Sequence, residues 1–163
     1  MARIAADGGT TGSTLTVQVT ETCSINSRDY GGYSTEEITG IKNVTKRIET
    51  ITATEATIIA FDTAIGAGTY IPANVAYMRF TNLDDTNFVT LTFKNAADDE
   101  VAIKVDAGKS FMMVGDNSGG IAAMFNAVAG DAASDTALGN LKDVQADANT
   151  GNVDIEIYIA CTA

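Results

Sequence analysis

The stretch from residue 88 to residue 105 reads Phe88-Val-Thr-Leu-Thr-Phe-Lys-Asn-Ala-Ala-Asp-Asp-Glu-Val-Ala-Ile-Lys-Val105. Apolar and polar residues alternate on both sides of a turn rich in Asn, Ala and Asp, and this leaves two apolar stripes: Val89, Leu91 and Phe93, then Val101, Ile103 and Val105. Alternation with a period of two is typical of half-buried strands. We expect the stripes to lie on adjacent antiparallel strands, where each apolar cross-strand pair stabilises the sheet by about 0.2–1 kcal/mol.

The flanking sequence continues the pattern in both directions. Residues 77–81 predict a strand before this stretch, and residues 109–114 predict a strand after it, entered through the tight turn Ala107-Gly108. Consecutive strands joined by short turns are usually neighbours in one sheet. We therefore predict a four-stranded antiparallel meander across residues 77–114.

The rest of the chain repeats the strand pattern with one interruption. Further strands are predicted at residues 14–20, 35–52 (two strands), 55–62 and 152–160. The segment 116–151 is rich in Ala, Asp, Asn and Gly, and we interpret it as a long connection or a hairpin. The turn at Asn149-Thr-Gly-Asn152 favours a hairpin in which residues 141–146 pair with the last strand.

Nine or ten short strands with almost no helix predict an all-β fold. We expect a single domain over residues 13–163, an antiparallel β-sandwich that is jelly-roll-like. Residues 1–12 are small, polar and rich in Gly. They predict a flexible N-terminal arm that orders against a neighbouring molecule.

Composition argues against several classes of function. The chain has 163 residues, 21 acidic against 10 basic, a formal charge of −11, and no His or Trp. Without His, the usual general base near neutral pH is missing, and so are His-based triads and zinc sites. The acidity disfavours binding to nucleic acid, and the basic residues Lys42, Lys46 and Arg47 form the one local cluster, interpreted as solvated strand residues.

No targeting segment is recognisable in the sequence. The first residues lack the apolar core of a signal peptide, and no apolar run approaches the ~18 residues of a membrane helix. We expect synthesis in the cytoplasm and no contact with a membrane. Cys23 and Cys161 lack the CxxC spacing of redox or zinc sites. A disulfide joining the two ends of the chain stays open, although the missing signal peptide favours free thiols.

Paired carboxylates are the strongest candidates for ion chemistry. Asp84, Asp85, Asp98 and Asp99 all fall in predicted turns. Carboxylates in turns are hard oxygen ligands that suit calcium, yet no EF-hand spacing is present, and Asp is favoured in turns for its bonds to the backbone. We favour the turn role, keep calcium as the alternative, and expect no catalytic residue and no cofactor.

Four aromatic residues are candidates for contacts with other molecules. Tyr30, Tyr33 and Tyr70 lie in predicted loops, and tyrosine is enriched at interfaces. Phe125 follows an apolar run and is interpreted as a core or subunit-interface residue.

Two motifs carry a resemblance to a known class of proteins. They are Tyr77-Met-Arg-Phe-Thr-Asn-Leu-Asp-Asp-Thr-Asn-Phe-Val-Thr-Leu91 and Val105-Asp-Ala-Gly-Lys-Ser-Phe111, and the last strand, Val153-Asp-Ile-Glu-Ile-Tyr-Ile-Ala160, fits the same scheme. With these features, about half of the chain resembles small β-sandwich virion proteins of tailed bacteriophages, particularly those of marine and cyanobacterial hosts.

The resemblance implies a structural role on a phage particle, with no catalytic residue carried over. It implies a capsid cement or decoration protein, or else a tail, head-fibre or connector component, located on the virion and bound to capsid or other virion proteins. It also implies homo-oligomers, commonly trimers. The alternatives are a host-contact or carbohydrate-binding module that uses the three loop tyrosines, and a carboxylate-dependent hydrolase, which the missing His disfavours.

Overall fold

The computed structural model describes residues 12–64, 66, 68–115, 119–125 and 140–163. The predicted flexible arm therefore lies outside the described residues, apart from Gly12, as does most of residues 116–139. No helix among the described residues is long and apolar enough to cross a membrane.

The elements are almost all strands, as the alternating pattern predicts. In chain order they are β1 (Ser13–Glu21), β2 (Ser24–Ile25), β3 (Arg28–Asp29), β4 (Gly32–Ile41), β5 (Asn43–Ile51), β6 (Ala56–Phe61), β7 (Thr69–Tyr70), a 3₁₀ turn (Pro72–Asn74), β8 (Val75–Asn82), β9 (Val89–Asn95), β10 (Glu100–Val105), β11 (Ser110–Val114), α1 (Gly120–Phe125), β12 (Leu141–Ala148) and β13 (Val153–Cys161).

Two sheets pack face to face and confirm the predicted β-sandwich. One sheet has the strand order β10-β9-β12-β6-β7, and the other has the order β11-β8-β13-β5. All pairs are antiparallel except β6 with β7. From β5 onward, the chain changes sheet at every connection between successive strands except β6 to β7 and β9 to β10. These changes give the strand order of a jelly roll.

The hairpin at residues 88–105 is confirmed in its register. Val101 lies opposite Phe93, Ile103 opposite Leu91, and Val105 opposite Val89. Because the intervening turn is short, the local sequence determines the pairing. The stripe on β10 is buried only at Val105, since Ile103 is half-buried and Val101 is 42% exposed.

The predicted meander is wrong. β8 pairs with β11 and β13, whereas β9 pairs with β10 and β12, so the two strands belong to opposite sheets. The connection between β8 and β9 leads from one sheet to the other, and its residues Leu83, Asp85 and Thr86 are exposed. An alternating sequence shows which face of a strand is buried. It does not show whether the next strand is hydrogen-bonded beside it in the same sheet or packs against it from the opposite sheet, because both arrangements give the same pattern.

The hairpin predicted near the C-terminus is wrong for the same reason. The strand at 141–146 exists as part of β12, but β12 pairs with β6 and β9. β13 pairs with β5 and β8 in the other sheet. The turn after Ala148 therefore changes sheet as well.

The main core lies between the sheets and centres on Phe93. Its ring contacts the rings of Phe80, Phe111 and Phe125 at centroid distances of 6.2, 6.1 and 5.3 Å. Phe93 and Phe80 are fully buried and come from opposite sheets, so this contact joins the two layers. Edge-to-face packing of this kind stabilises a core beyond simple burial of area.

Helix α1 approaches the 3₁₀ turn so closely that its first residue has to be Gly. Gly120 has a φ of 55°, and a Cβ on it would lie 2.6 Å from the carbonyl oxygen of Ala73. We expect Gly120→Ala to lower the free energy of unfolding by about 1–3 kcal/mol, because the backbone must shift as well as hold a left-handed conformation.

Gly151→Ala is the matched control for this substitution. Gly151 has a φ of 67° with no atom within 4 Å of its Cβ position. Gly151→Ala should therefore carry only the cost of a left-handed backbone at Ala, and it should lower the free energy of unfolding less than Gly120→Ala does. Equal losses in urea denaturation of the two variants would contradict the close-approach argument.

Candidate contact surface

The acidic turn between β8 and β9 is held together by its own carboxylates. The Oδ1 atom of Asp84 accepts backbone hydrogen bonds from Thr86 (2.7 Å) and Asn87 (2.6 Å), and these bonds lower the pKa of Asp84. The Oδ1 atom of Asp85 accepts a bond from the hydroxyl of Thr86 at 2.8 Å. Both aspartates therefore have the structural role that turn chemistry favours.

Asn82 is a residue whose structural importance the sequence did not reveal. It is only 1% exposed, and its Nδ2 atom donates to the carbonyl oxygens of Asn87 (2.8 Å) and Val105 (3.1 Å). Its Oδ1 atom accepts the backbone N–H of Asp84 at 2.9 Å. One buried amide thus joins the end of β8, the acidic turn and the end of β10.

The second acidic turn is built in a similar way around Asn95. The Oδ1 atom of Asn95 accepts the backbone N–H groups of Ala97 and Asp99, and its Nδ2 atom donates to Asp99 at 3.0 Å. Asp98 has a φ of 67° and lies 3.3 Å from the Nζ atom of Lys94, whose pKa it raises. Within the described ranges, no group of three or more His, Cys, Asp and Glu side chains could hold a metal ion.

The three candidate tyrosines divide into two groups. Tyr30 and Tyr33 are 60% and 77% exposed. Tyr33 lies in β4 opposite Thr20, so its prediction as a loop residue is wrong, although its exposure is as expected. Tyr70 is only 9% exposed, so its prediction as an exposed loop residue is wrong. Tyr70 belongs to β7, where it pairs with Phe61 of the parallel strand β6. Its hydroxyl accepts a hydrogen bond from Arg47 at 3.4 Å. Phe125 is half-buried against the main core and contacts Phe93 rather than an open surface.

Arg47 forms hydrogen bonds between the two sheets beside Tyr70. Its Nη2 atom donates to the carbonyl oxygen of Ile58 at 2.6 Å, and its Nε atom donates to Glu49 at 2.6 Å. Strand β5 is the edge of one sheet, while Ile58 lies in β6 of the other. Arg47 was predicted to be a solvated strand residue, but its bond to Ile58 joins the two sheets.

We expect Arg47→Met to lower the free energy of unfolding by about 1–3 kcal/mol, because it removes charge-assisted bonds between the sheets. Lys46→Met is the matched control on the neighbouring residue. The Lys46 side chain is 57% exposed and forms a surface ion pair with Glu156, so its loss should cost at most about 1 kcal/mol. Similar midpoints for both variants in thermal denaturation would contradict the proposed role of Arg47.

The two cysteines are both free and have different environments. Cys23 is exposed, whereas Cys161 is buried in β13. Burial raises the pKa of the Cys161 thiol to about 11. At neutral pH that thiol is almost entirely protonated, and the thiol form is a poor nucleophile.

We therefore expect iodoacetamide at neutral pH to alkylate the folded chain once, at Cys23. In denaturant it should alkylate the chain twice. Peptide mass spectrometry reads out both results. Rapid alkylation of Cys161 in the folded chain would show that β13 is not held in the core as described.

The ribbon, defined as residues 13–41, is the most distinctive surface feature. β1 and β4 pair with each other and with no other described strand, and the small β2–β3 hairpin lies at their far end. The near end packs through Leu15 and Ile38 on the outer side of the second sheet, against Tyr77 and Ala160. The sequence indicated these strands but not that they leave the sandwich.

The far half of the ribbon is exposed. Val19 is 39% exposed, Ile25 is 56% exposed, and both exposed tyrosines belong to this half. A two-stranded ribbon is marginally stable by itself in water. The exposed apolar and aromatic side chains at this position form a candidate contact surface.

Comparisons with known proteins do not identify a family. No protein-family model matches the sequence, and no curated protein matches it either. Among solved structures, a chain from a study of Bacillus endospore appendages, described as disulfide-linked pili, aligns with 97% of this chain and 99% of its own length. The identity is 14% and the TM-score is 0.34, and we draw no conclusion from a similarity at that level.

Proposed function

We propose that this protein is a non-enzymatic structural subunit that acts by contact with other subunits. The observation that carries the proposal is the ribbon, which extends from a closed sandwich and exposes Val19, Ile25, Tyr30 and Tyr33. Proteins that reinforce assemblies work by burying surface across several neighbours, so a projecting arm serves them better than a deep cleft.

More specifically, we propose a cement or decoration protein on the outer surface of a phage head. The resemblance of residues 77–91 and 105–111 to phage virion proteins supports this assignment. The formal charge of −11 supports the outer surface, because the inner surface of a filled head faces DNA phosphates. The partners are then capsid proteins and further copies of this chain, with a trimer favoured, and no cofactor is needed.

Co-sedimentation with purified particles tests this proposal. Intact virions, and heads separated from tails, are banded on a density gradient and analysed by mass spectrometry. We expect the chain to band with heads and to stay there after the tails are removed. Banding with tails alone would replace the cement role by a tail, fibre or connector role, and absence from particles would overturn the virion proposal.

A host-contact or carbohydrate-binding module is the second candidate. Tyr30 and Tyr33, both exposed on the ribbon, are the observation that favours it, since aromatic rings stack on sugars. Tyr70 no longer contributes, because it is buried. Binding to a glycan array that is lost in Tyr30→Ala and Tyr33→Ala would support this role, and a blank array would remove it.

A further inference from the structure

One face of the ribbon carries a row of apolar side chains from β1 that is only partly covered. Leu15 lies opposite Ile38, Val17 opposite Glu36, and Val19 opposite Ser34, so all six side chains share this face. Leu15 and Ile38 pack on the body of the same chain, and Val17 packs against the same cluster. Two residues further along each strand, Val17 is half-buried and Glu36 is exposed. Val19 is 39% exposed, so the face that packs at its near end continues uncovered at its far end.

A second uncovered apolar stripe lies on β5, the edge strand of its sheet. Val44 and Ile48 are 46% and 60% exposed, with Lys46 between them. The alternation along the strand places these three side chains on the outer face, opposite to Arg47. Exposed apolar side chains grouped on one face of a sheet are typical of contact surfaces.

The two stripes carry opposite charge. The ribbon holds four acidic residues against Arg28 alone: Glu21, Asp29, Glu36 and Glu37. Near the β5 stripe, Lys42 is exposed, and Lys46 and Arg79 share the single acid Glu156, so positive groups outnumber acidic ones there. Arg47 lies on the other face and pairs with Glu49. Among the described residues, none of the four ribbon acids forms an ion pair. In a chain of charge −11, copies repel each other unless the contact joins regions of opposite sign.

We propose that the ribbon of one copy docks on the outer face of β5 in a second copy. Val19 and the exposed part of Val17 pack on Val44 and Ile48. Glu36 pairs with Lys46, whose Nζ atom also lies 3.0 Å from Glu156 of its own chain. This inference rests on the proposed role as an assembling subunit and names its partner. The contact joins two different surfaces, so repetition closes a ring or continues as a filament. A closed ring of three is the trimer expected above.

Charge reversal with complementation tests the contact. One variant reverses the ribbon (Glu36→Lys with Glu37→Lys), and another reverses the edge (Lys42→Glu with Lys46→Glu). At low salt, we expect sedimentation velocity to show oligomers for the unmodified chain and loss of the oligomer for either variant alone. An equimolar mixture should restore association, because each ribbon then meets an edge of opposite sign. The two variants should alternate in open chains or even-numbered rings, since a ring of three would keep one contact of like sign. Lys104→Glu with Lys109→Glu makes the same change in charge elsewhere and should leave assembly intact.

The outcomes separate this inference from the proposed function. A chain that stays monomeric at all concentrations overturns the inference, and so does a mixture that fails to assemble while both variants melt as cooperatively as the unmodified chain. Binding to heads by such a monomer would leave the cement role standing, with the ribbon docked on a capsid subunit instead. Oligomers that obey the charge rules but are absent from particles would keep the contact and remove the virion role.

Discussion

Phe93→Ala should lower the free energy of unfolding by about 3–5 kcal/mol. Phe93 is fully buried and is the residue at which rings from both sheets and from α1 meet. Truncation removes the burial of a large apolar surface and leaves a cavity among rings held by two separate sheets, which cannot easily collapse to fill it. Domains are typically stable by about 5–15 kcal/mol, so this single change removes a large share of the stability.

Equilibrium denaturation in urea, followed by circular dichroism, measures this effect. Tyr33→Ala is the matched control, since it also truncates an aromatic residue of a strand but one that is 77% exposed. The control should change stability by no more than about 0.5 kcal/mol. A loss for Phe93→Ala as small as that of the control would mean that the two sheets are not packed on this ring.

Asn82→Asp should destabilise the protein by about 3–5 kcal/mol at neutral pH. We expect this effect even though the carboxylate is nearly the same size as the amide that it replaces. The amide Nδ2 donates to two carbonyl oxygens, and a carboxylate at this position would turn both attractions into repulsions. The position is 1% exposed, so water cannot screen the charge.

The defect of Asn82→Asp should depend on pH in a defined direction. Burial beside carbonyl oxygens favours the neutral acid, so the pKa of the new carboxyl group is higher in the folded state than in the unfolded state. The loss of stability is therefore smallest below about pH 4, near the unfolded pKa, and grows as the pH rises through the folded pKa. Asn43→Asp, at an exposed position, is the control and should show no such dependence. A pH-independent loss for Asn82→Asp would contradict the account of two donated bonds.

The candidate site could be predicted in part. The turns that contain Asp84 and Asp98 follow from residue type, because Asp and Asn bond their own backbone. Tyr33 was expected to be exposed and is exposed. Tyr70 was not distinguishable from it, because both lie among Gly and Thr residues. Its burial depends on a short parallel pairing with β6 and on a bond from Arg47, residues that are distant in sequence.

By itself, the sequence determined most of the longer strands and the register of β9 with β10. These properties depend on neighbours within a few residues, which the period-two pattern records directly. The pattern missed the two-residue strands β2, β3 and β7, which lie in segments predicted as loops or turns. Only the tertiary structure decided that β8 and β9 face each other across the core, that β12 and β13 part into different sheets, and that the ribbon leaves the sandwich. Each of these arrangements depends on contacts between residues that are far apart in the chain. The alternating pattern of a strand would be the same in either sheet, so the pattern cannot show which strands become neighbours.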